Sequence, residues 1–348
     1  MSNSIYEDIM SRVTLKDVAM RAGVSYQTVS KVLSNKRKVA FETDARIRNA
    51  AAELGYQPNI IARNLRNQNS NLIGYAWRRT PDGEPHPLLD RFLYHTAIVA
   101  EAHHFKILPF LIDATDDSND INVYRELYER QQVEGFVLDA TNYDDPRIAY
   151  LIAQNIPFTS FGRANDAWPF CWVDVDSVYG IELVVNHLVE RGHQRIAMIT
   201  WQTGSMTGAY REQGYWRGLQ NAGIDFDSAW LVRGEHTTQT GVVGAMQVLS
   251  LPVDRRPTAI VCVCDLFAVG AIYAVMAAGL RVGQDIAITG FDDLRMDEYL
   301  YPTLTSVRQP IPEVGRHIVE LLLNQISEVS AEPKGILLKP TLVVRESS

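Results

Sequence analysis

The sequence predicts a small all-α helix-turn-helix headpiece joined to an α/β core of two doubly wound parallel-sheet lobes. Three observations lead to this fold class. Two short helices with separate start signals lie near the amino terminus, short apolar runs alternate with amphipathic stretches from residue 71 onward, and this alternation begins again near residue 195. Strands that alternate with helices form parallel sheets. The chain has 348 residues, which leaves room for two lobes beside a headpiece.

Residues 13–33 are predicted to form two short helices joined by a tight turn. Thr14 can cap the first helix, whose apolar residues recur at helical spacing. Gly23 permits the turn, and Ser25 can cap the second helix. The two helices therefore form a compact hairpin with one apolar side.

The second helix has a polar outer face. Tyr26, Gln27, Thr28 and Lys31 lie opposite its apolar residues. Hydrogen-bonding side chains in the first turn of such a helix can read base edges in the DNA major groove. The pattern predicts a DNA-binding helix-turn-helix, and the alternative is an ordinary helical hairpin with a solvated face.

The charge of the chain is unevenly distributed. The whole chain has a net charge of −8, yet residues 12–66 contain eleven Lys or Arg and only four Asp or Glu. Three of these cations, Lys36, Arg37 and Lys38, follow the second helix, where phosphates would pass. A basic module on an acidic body is typical of a DNA-binding domain tethered to a domain with another role.

A third helix is predicted from Glu42 to Leu54. Around it, five segments form a recognisable pattern: Thr14–Ala19, Ala22–Ser25, Thr28–Leu33, Leu54–Asn59 and Ala62–Leu65. This pattern resembles the amino-terminal headpiece of the LacI/GalR family of bacterial repressors. The resemblance implies that the segment after Pro58 is a hinge helix that forms only on operator DNA.

The resemblance also implies which headpiece residues meet DNA. Leu65 occupies the position of the leucine that wedges into the minor groove, and Arg63 and Arg66 beside it suit phosphate contacts. A linker leucine packed on the core is the alternative for Leu65. The full set of predicted DNA-binding residues is Thr14, Ser25, Tyr26, Gln27, Thr28, Ser30, Lys31, Lys38, Asn59, Ala62, Arg63, Leu65 and Arg66.

From residue 71 onward, two series of strands and helices are predicted. The first has strands at 72–76, 106–110, 135–138 and 158–161, with helices at 89–104, 123–132 and 146–155. The second has strands at 195–199, 229–232, 259–263 and 286–290, with helices at 177–191, 211–222, 240–249 and 267–278. Ligands bind at the carboxyl ends of strands in such sheets, so we expect a binding cleft between the lobes.

The core also carries family segments: Val133–Leu138, Val173–Asp176, His187–Ala197, Arg211–Tyr215, Pro257–Ile260, Gly290–Asp293 and Tyr301–Val307. They resemble the periplasmic-binding-protein-like sensor domain of the same family. Together with the headpiece, the resemblance covers about residues 13–345. It implies four segments: a disordered leader (1–12), the headpiece (13–58), a hinge helix and linker (59–70), and an effector-binding and dimerisation core (71–348). Within the core, the first lobe is predicted to contain about 71–173 plus 305–332, and the second about 174–304 plus 333–348.

A sugar-binding cleft needs bidentate polar groups beside aromatic faces. Asp292, with Phe291 beside it, matches the ligand-binding Asp of the family, and Arg211 matches the Arg that contacts ligand hydroxyls or a carboxylate. Trp201 directly follows a predicted strand and offers a stacking surface. Further candidates at strand ends and loops are Arg163, Asp139, Asp265, His236, Trp77 and Asp90. A structural role in a turn, the core or the surface is the alternative for each.

The sequence departs from the family pattern at three informative positions. Cys264 replaces an Asn that usually contacts the ligand, which leaves the identity of the effector open, and Asp265 beside it could equally cap a helix. In the headpiece, Lys31 replaces a common Arg, and Ala40 replaces a common capping Ser.

We therefore expect a ligand-responsive, sequence-specific DNA-binding repressor of carbohydrate-utilisation genes. It would act as a homodimer on a near-palindromic operator, in the bacterial cytoplasm at the nucleoid. A purine-dependent or other metabolite-dependent corepressor-type regulator is the first alternative, since aromatic residues stack on purines too. A sugar-processing enzyme with a DNA-binding head is the second, although the sequence has neither a G-x-x-x-x-G-K-[ST] nor a G-x-G-x-x-G phosphate loop.

Other classes of site are not indicated. No stretch has the roughly eighteen consecutive apolar residues of a membrane helix. Cys171, Cys262 and Cys264 lack a paired spacing and have no His cluster beside them, so we expect free thiols and no metal. We expect no cofactor apart from the small-molecule effector.

Overall fold

The structure, a computed structural model, describes residues 13–33, 39–56, 70–78, 86–112, 117–328 and 332–348. The chain divides into two compact units, Met1–Asn69 and Ser70–Ser348. No helix within the described ranges is long and apolar enough to cross a membrane. The predicted leader 1–12, the hinge helix and six of the predicted DNA-binding residues lie outside the described residues. These six are Lys38, Asn59, Ala62, Arg63, Leu65 and Arg66.

Within residues 13–33 and 39–56, the first unit contains three helices: α1 (Leu15–Ala22), α2 (Tyr26–Leu33) and α3 (Phe41–Glu53). Gly23, with φ of +66°, makes the turn between α1 and α2, which favours glycine because this backbone region is costly for other residues. Val18, Val29 and Ile47 come from the three helices and are buried together. The predicted helix-turn-helix is confirmed.

The second unit begins with three strand-helix repeats and two further strands: β1 (Leu72–Arg78), α4 (Pro87–Ala102), β2 (Lys106–Ile112), α5 (Asp117–Glu129), β3 (Gly135–Leu138), α6 (Pro146–Ala153), β4 (Phe158–Phe161) and β5 (Cys171–Val175). The second series follows: α7 (Ser177–Glu190), β6 (Ile196–Trp201), α8 (Met206–Asn221), β7 (Leu231–Gly234), α9 (Thr238–Leu249), β8 (Ala259–Cys262), α10 (Asp265–Ala277), β9 (Ala287–Asp292) and β10 (Thr305–Arg308). The chain ends with α11 (Ile311–Ser327), β11 (Gly335–Leu338) and β12 (Thr341–Val343).

These strands form two six-stranded sheets, in the orders β11-β5-β4-β3-β1-β2 and β12-β10-β9-β8-β6-β7. All neighbouring strands are parallel except β12, which runs antiparallel to β10. Every residue of β3 and β8 is buried, as expected for strands covered by helices on both faces. The predicted fold class, two doubly wound lobes, is confirmed.

The lobe boundaries differ from the predicted ones. The predicted division places 305–332 in the first lobe and 333–348 in the second, whereas β10 lies in the second sheet and β11 in the first. The strand β10 pairs with β9 from Thr305 to Arg308, and only then does α11 cross to pack on α4 and the first sheet. The chain thus passes between the lobes three times, after β5, β10 and β11.

One predicted strand is displaced along the sequence. A short 3-10 turn occupies Ser228–Trp230, where Asp227 accepts a hydrogen bond from the amide of Ala229, and β7 starts only at Leu231. The four strands β5, β10, β11 and β12 are not among the predicted strands. They contain Thr, Ser, Asp or Gly beside their apolar residues, and such short mixed segments give no clear period.

Close packing of α7 against α8 depends on a glycine. A Cβ atom at Gly214 would lie 2.4 Å from the carbonyl oxygen of Val178 and 2.9 Å from Cβ of Ile181. Both atoms belong to α7 and cannot move away as a flexible side chain could. The two helices therefore approach more closely than a residue with a side chain would allow.

We expect Gly214→Ala to lower the free energy of unfolding by about 1–3 kcal/mol, because the added methyl overpacks the α7–α8 contact. Urea unfolding followed by far-UV circular dichroism measures this change. Gln213→Ala is the matched control, since Gln213 is the exposed neighbour on the same helix. Equal stabilities of the two variants would contradict the packing argument.

Candidate functional site

The first candidate site is the outer face of α2. Gln27 and Lys31 are exposed, 47% of the Tyr26 surface is accessible, and Thr28 is half-buried. Ser25 accepts a hydrogen bond from the amide of Thr28 at 3.2 Å, and its hydroxyl lies 2.8 Å from the Thr28 hydroxyl. Ser25 therefore fixes the first turn of α2, as its predicted capping role requires.

Two other predicted DNA contacts have local partners. The amide and hydroxyl of Thr14 both donate to the Asp17 carboxylate, each at 2.7 Å. Thr14 is exposed at the start of α1, and Asp17 occupies both of these donors. Ser30 is 9% exposed and counts among the buried residues of α2. Ser30 is thus the least accessible of the predicted contacts within the described headpiece.

The second candidate site is a cavity of about 490 Å³ between the two lobes. It lies where the carboxyl ends of strands from both sheets meet, as predicted for a doubly wound fold. Polar and aromatic side chains from both lobes line it. They include Arg78, His86, Asn142, Asp174, Trp201, Ser205, Arg211, Glu235, His236, Asp292 and Gln309.

Arg211 is the central cation of this cavity. Its guanidinium carbon lies 3.7 Å from the ring centroid of Phe291 and 5.0 Å from that of Trp201. Nη1 donates to the carbonyl of Val263, and Nη2 lies 3.9 Å from Oδ1 of Asp292. Arg211 is only 3% exposed, and two ring faces, the Val263 carbonyl and the nearby Asp292 stabilise its charge.

Asp292 is the central acid. It is 6% exposed, and its Oδ1 accepts a hydrogen bond from Nε2 of Gln309 at 2.7 Å. Burial raises the pKa of Asp292 to about 8, while the nearby Arg211 opposes that rise. The separation of 3.9 Å from Arg211 is longer than a hydrogen bond, so both groups retain capacity for ligand hydroxyls.

The backbone around Asp292 has an unusual conformation that other side chains stabilise. Asp292 and Asp293 have φ values of +133° and +50°, a strained region for residues other than glycine. Asp265 accepts hydrogen bonds from the amide of Leu294 at 3.0 Å and from the hydroxyl of Ser306 at 2.6 Å. Asp265 is fully buried and does not line the cavity. It therefore supports the strand end that presents Asp292 and, in this structure, is not a ligand-facing residue.

Two histidines contact each other across the cleft. His86 precedes α4 in the first lobe and His236 follows β7 in the second, and their rings stack with centroids 4.7 Å apart and planes 13° apart. The His236 ring also lies 5.8 Å from that of Trp201. Burial lowers the pKa of His236 to about 4, with further contributions from His86 and Arg211. Two neutral rings can stack in this way, whereas two charged rings would repel each other.

Arg163 and Asp139 lie near the cavity without lining it. Nε of Arg163 donates to Asp174 at 2.8 Å, and its guanidinium lies 3.9 Å from the Tyr210 ring centroid. Asp139 is buried and accepts a hydrogen bond from the hydroxyl of Tyr75. Arg163 acts through Asp174, which lines the cavity, and Asp139 stabilises the interior of the first lobe.

The remaining predicted residues lie elsewhere. Trp77 is 47% exposed on β1, Asp90 is exposed on α4, and neither lines the cavity. Phe291 is buried beneath Arg211 and supports it from below. Cys264 is buried at the start of α10 and does not line the cavity.

Seven of the lining residues named above are not among the predicted site residues: Arg78, His86, Asn142, Asp174, Ser205, Glu235 and Gln309. Asp174 and Gln309 belong to the ends of β5 and β10, two strands that the sequence pattern did not reveal. His86 precedes Pro87, which starts α4, and the His-Pro pair at a helix start is the signal that could have identified it. Within the described ranges, no group of three His, Cys, Asp or Glu could hold a metal ion.

Comparison with known proteins gives two family matches. Residues 14–59 match the model of bacterial regulatory proteins of the lacI family, and residues 185–348 match a periplasmic binding protein-like domain. The HTH-type transcriptional repressor PurR of Erwinia tasmaniensis is 33% identical over 336 residues, which cover 96% of each chain.

Two solved structures are similar over nearly the whole chain. The lac repressor dimer bound to operator and the anti-inducer ONPF has a TM-score of 0.84 and 29% identity, covering 97% of this chain and 99% of that one. The complex of the transcriptional regulator CelR with cellobiose has a TM-score of 0.73 and 28% identity, covering 97% and 100%.

We expect acidification to destabilise the wild-type protein more than the His236→Phe variant. The folded-state pKa of His236, about 4, lies below its ordinary value of 6.5. The contribution of neutral His236 to the free energy of unfolding is therefore fully present above pH 6.5 and is lost as the pH falls towards 4. At pH 5 this loss amounts to up to about 2 kcal/mol. Urea unfolding at pH 7.5 and pH 5.0 measures the difference.

The control for this measurement is His103→Phe, which changes an exposed histidine. It should keep the wild-type pH dependence. If His236→Phe and wild type lose equal stability between the two pH values, the buried neutral stack does not exist in solution.

Proposed function

Because this chain belongs to the lacI family of bacterial regulatory proteins, we propose that it represses carbohydrate-utilisation genes and that a sugar bound between its lobes alters its affinity for operator DNA. Family membership makes it a DNA-binding transcriptional repressor and not an enzyme. The identity of the effector and the location of the protein in the cytoplasm are the parts that we propose.

The sugar proposal rests on the group of polar and aromatic side chains around Arg211 and Asp292. A buried cation and a buried acid, with Gln309 and Asp174 beside them, give donors and acceptors in one small space. Trp201 adds an aromatic face on the same side. Hydroxyl groups need both donors and acceptors, and the C–H faces of a sugar pack on aromatic rings. The similarity to a regulator whose complex contains cellobiose supports this choice.

The similarity to PurR supports a second candidate, a purine effector. A purine bound between the two histidine rings would need about 3.5 Å of contact distance on each side. The His86 and His236 rings are 4.7 Å apart and already stack on each other, so no second ring fits between them. The histidine stack therefore offers no slot for a purine.

The proposed mechanism couples the cleft to the spacing of two headpieces. A ligand that binds one lobe arrangement better than another shifts the population towards it, with a coupling free energy of about 1–3 kcal/mol. The cleft is suited to this role because His86 and His236 connect the two lobes across it. Half-sites one DNA turn apart tolerate little misplacement of a dimer.

A dimer is also supported by an exposed apolar face in the second lobe. Val243 and Met246 on α9 and Tyr273 and Met276 on α10 each expose between 48% and 66% of their surface. The two helices pack side by side, and exposed apolar residues on neighbouring helices are a feature of protein interfaces. The lac repressor is similar to this chain and was solved as a dimer on its operator.

We expect Gln27→Ala to weaken binding to the specific DNA site by at least about 5-fold, because it removes a side chain placed to read a base edge. The site is first selected from random duplex DNA with the wild-type protein, and affinities are then measured by fluorescence anisotropy at one fixed salt concentration. Asn49→Ala, an exposed change on α3, is the control and should bind as wild type. An equal loss on random DNA would contradict base reading by Gln27.

We expect Arg211→Ala to abolish the effector response while operator binding survives, because the change removes the central cation of the cleft. Intrinsic tryptophan fluorescence, which Trp201 in the cleft should report, is titrated with monosaccharides, disaccharides and purines. Any binder is then tested for release or recruitment of operator DNA.

The matched control is Arg217→Ala, which removes a more exposed Arg from the same helix. It should keep both activities. A saturable response to purines alone would replace the sugar proposal with the purine one. Loss of DNA binding together with the effector response in Arg211→Ala would mean that Arg211 has only a structural role.

A further inference from the structure

The carboxyl group of Asp297 is buried without a hydrogen-bond donor. Asp297 belongs to a short 3-10 turn, Arg295–Glu298, that follows β9. It is 0% exposed, and neither of its side-chain oxygens receives a hydrogen bond from any residue that the structure describes. An ionised carboxylate in such a place would have lost its water and found no donor in exchange, which is highly unfavourable. The group is therefore more stable as a neutral carboxylic acid, whose proton needs an acceptor.

Asp265 provides this acceptor. It is also fully buried, and its side chain lies within hydrogen-bonding reach of that of Asp297. Leu294 connects the two residues, since its amide donates to Oδ2 of Asp265 at 3.0 Å and its carbonyl accepts from the amide of Asp297 at 2.9 Å. The hydroxyl of Ser306 donates to Oδ1 of Asp265. Each carboxylate oxygen can accept two hydrogen bonds, so Asp265 has room for one more donor.

The cations near this pair are engaged by a third carboxylate. Asp293 binds Nε of Arg308 at 2.5 Å and Nη2 of Arg345 at 2.7 Å, and Arg345 also lies 3.7 Å from Glu298. Burial, followed by the charge of Asp265, raises the pKa of Asp297 to about 10. Asp293 adds to this rise in pKa and Arg345 opposes it. The charges around the pair therefore favour the protonated form at neutral pH.

The pair lies directly behind the strained turn of the cleft. A Cβ atom at Gly290 would clash with Oδ1 of Asp265, so this carboxylate packs against β9 two residues before Asp292. Asp265 also holds the amide of Leu294, which follows the two positive-φ residues Asp292 and Asp293. A displacement of the Asp265 carboxylate would therefore release the backbone on both sides of this turn.

We propose that Asp297 is a positioning residue that acts as a neutral acid: it donates a hydrogen bond to Asp265, and this bond fixes the strand end that presents Asp292 to the cleft. Asp297 does not itself line the cavity, and this role is independent of which effector the cavity binds. An Asn at position 297 can donate the same hydrogen bond through its side-chain amide, whereas an Ala cannot. The two substitutions therefore separate the hydrogen bond from the carboxyl charge.

The first test is the pH dependence of stability in the full-length protein. The folded-state pKa of Asp297, about 10, lies above its ordinary value of 3.8, so the folded chain keeps a proton that the unfolded chain releases. The stability contributed by this group is complete below pH 3.8 and is lost as the pH rises towards 10. Asp297→Asn has no such proton, and titrations that both proteins share cancel in the comparison. We expect the unfolding constant of wild type, divided by that of Asp297→Asn, to rise about 100-fold between pH 6 and pH 8, which is tenfold per pH unit. Urea unfolding at the two pH values measures this ratio.

The second test locates the effect within the chain. Hydrogen–deuterium exchange with mass spectrometry follows the peptides that contain Asp293 and Leu294. We expect Asp297→Ala to speed exchange there by at least about 5-fold, because the turn opens more often without the hydrogen bond. Asp297→Asn should keep the protection of wild type. Asp254→Asn, which removes an exposed acid, is the matched control and should behave as wild type in both tests.

Three outcomes overturn the proposal. A ratio of unfolding constants that stays the same between pH 6 and pH 8 means that Asp297 is ionised in the folded protein. Wild-type protection in Asp297→Ala means that the turn does not need the hydrogen bond. Equal loss of protection in Asp297→Asn and Asp297→Ala means that an amide donor cannot replace the acid, so the donated hydrogen bond is not what fixes the turn. If Asp297→Ala does not fold, the pH dependence of Asp297→Asn and its exchange against wild type decide the matter.

Discussion

The burial of the Arg211 guanidinium is the constraint on which the rest of the cleft depends. A charge removed from water must be compensated, or its desolvation would exceed the stability of an ordinary fold. Here the compensation comes from Phe291 below it, Trp201 at its edge and Asp292 at 3.9 Å. Asp292 can take this position only because the end of β9 adopts a strained backbone, which Asp265 and its partners stabilise. A fully buried acid outside the cavity thus determines the geometry inside it.

The two lobes contribute unequally to recognition. The second lobe supplies the charged centre, built on rigid strand ends, whereas the first lobe supplies His86, Arg78 and Asp174 around it. Two histidine rings, one from each lobe, are in contact across the cleft. The cleft therefore combines a fixed electrostatic centre with a wall that depends on the relative position of the lobes. Such a division suits a sensor, because occupancy and lobe position are linked through the same few side chains.

Local signals in the sequence predicted the headpiece and the alternating core well. Thr14, Gly23 and Ser25 act within a few residues of their partners, so their roles can be read from spacing alone. The strands β5 and β10 escaped prediction because Asp174 and Ser306 interrupt their apolar pattern, and the lining residues Asp174 and Gln309 escaped with them. Asp265 was predicted to face the ligand and instead supports the backbone from behind. The direction in which such a carboxylate points depends on contacts with residues that are distant in the sequence, so the local sequence pattern does not predict it.

The three passages of the chain between the lobes have a consequence for synthesis on the ribosome. The first lobe starts with β1 but lacks α11 and the edge strand β11 until residues near 338 have been made. The second lobe has most of its sheet by residue 308, before that point is reached. Domains usually fold in the order in which they emerge, yet here the lobe that begins first stays incomplete until most of the sheet of the other lobe has been made. The apolar surface of the first lobe that α11 will cover then stays exposed while the second lobe folds. A nascent chain stalled between β10 and α11 would present that surface to chaperones.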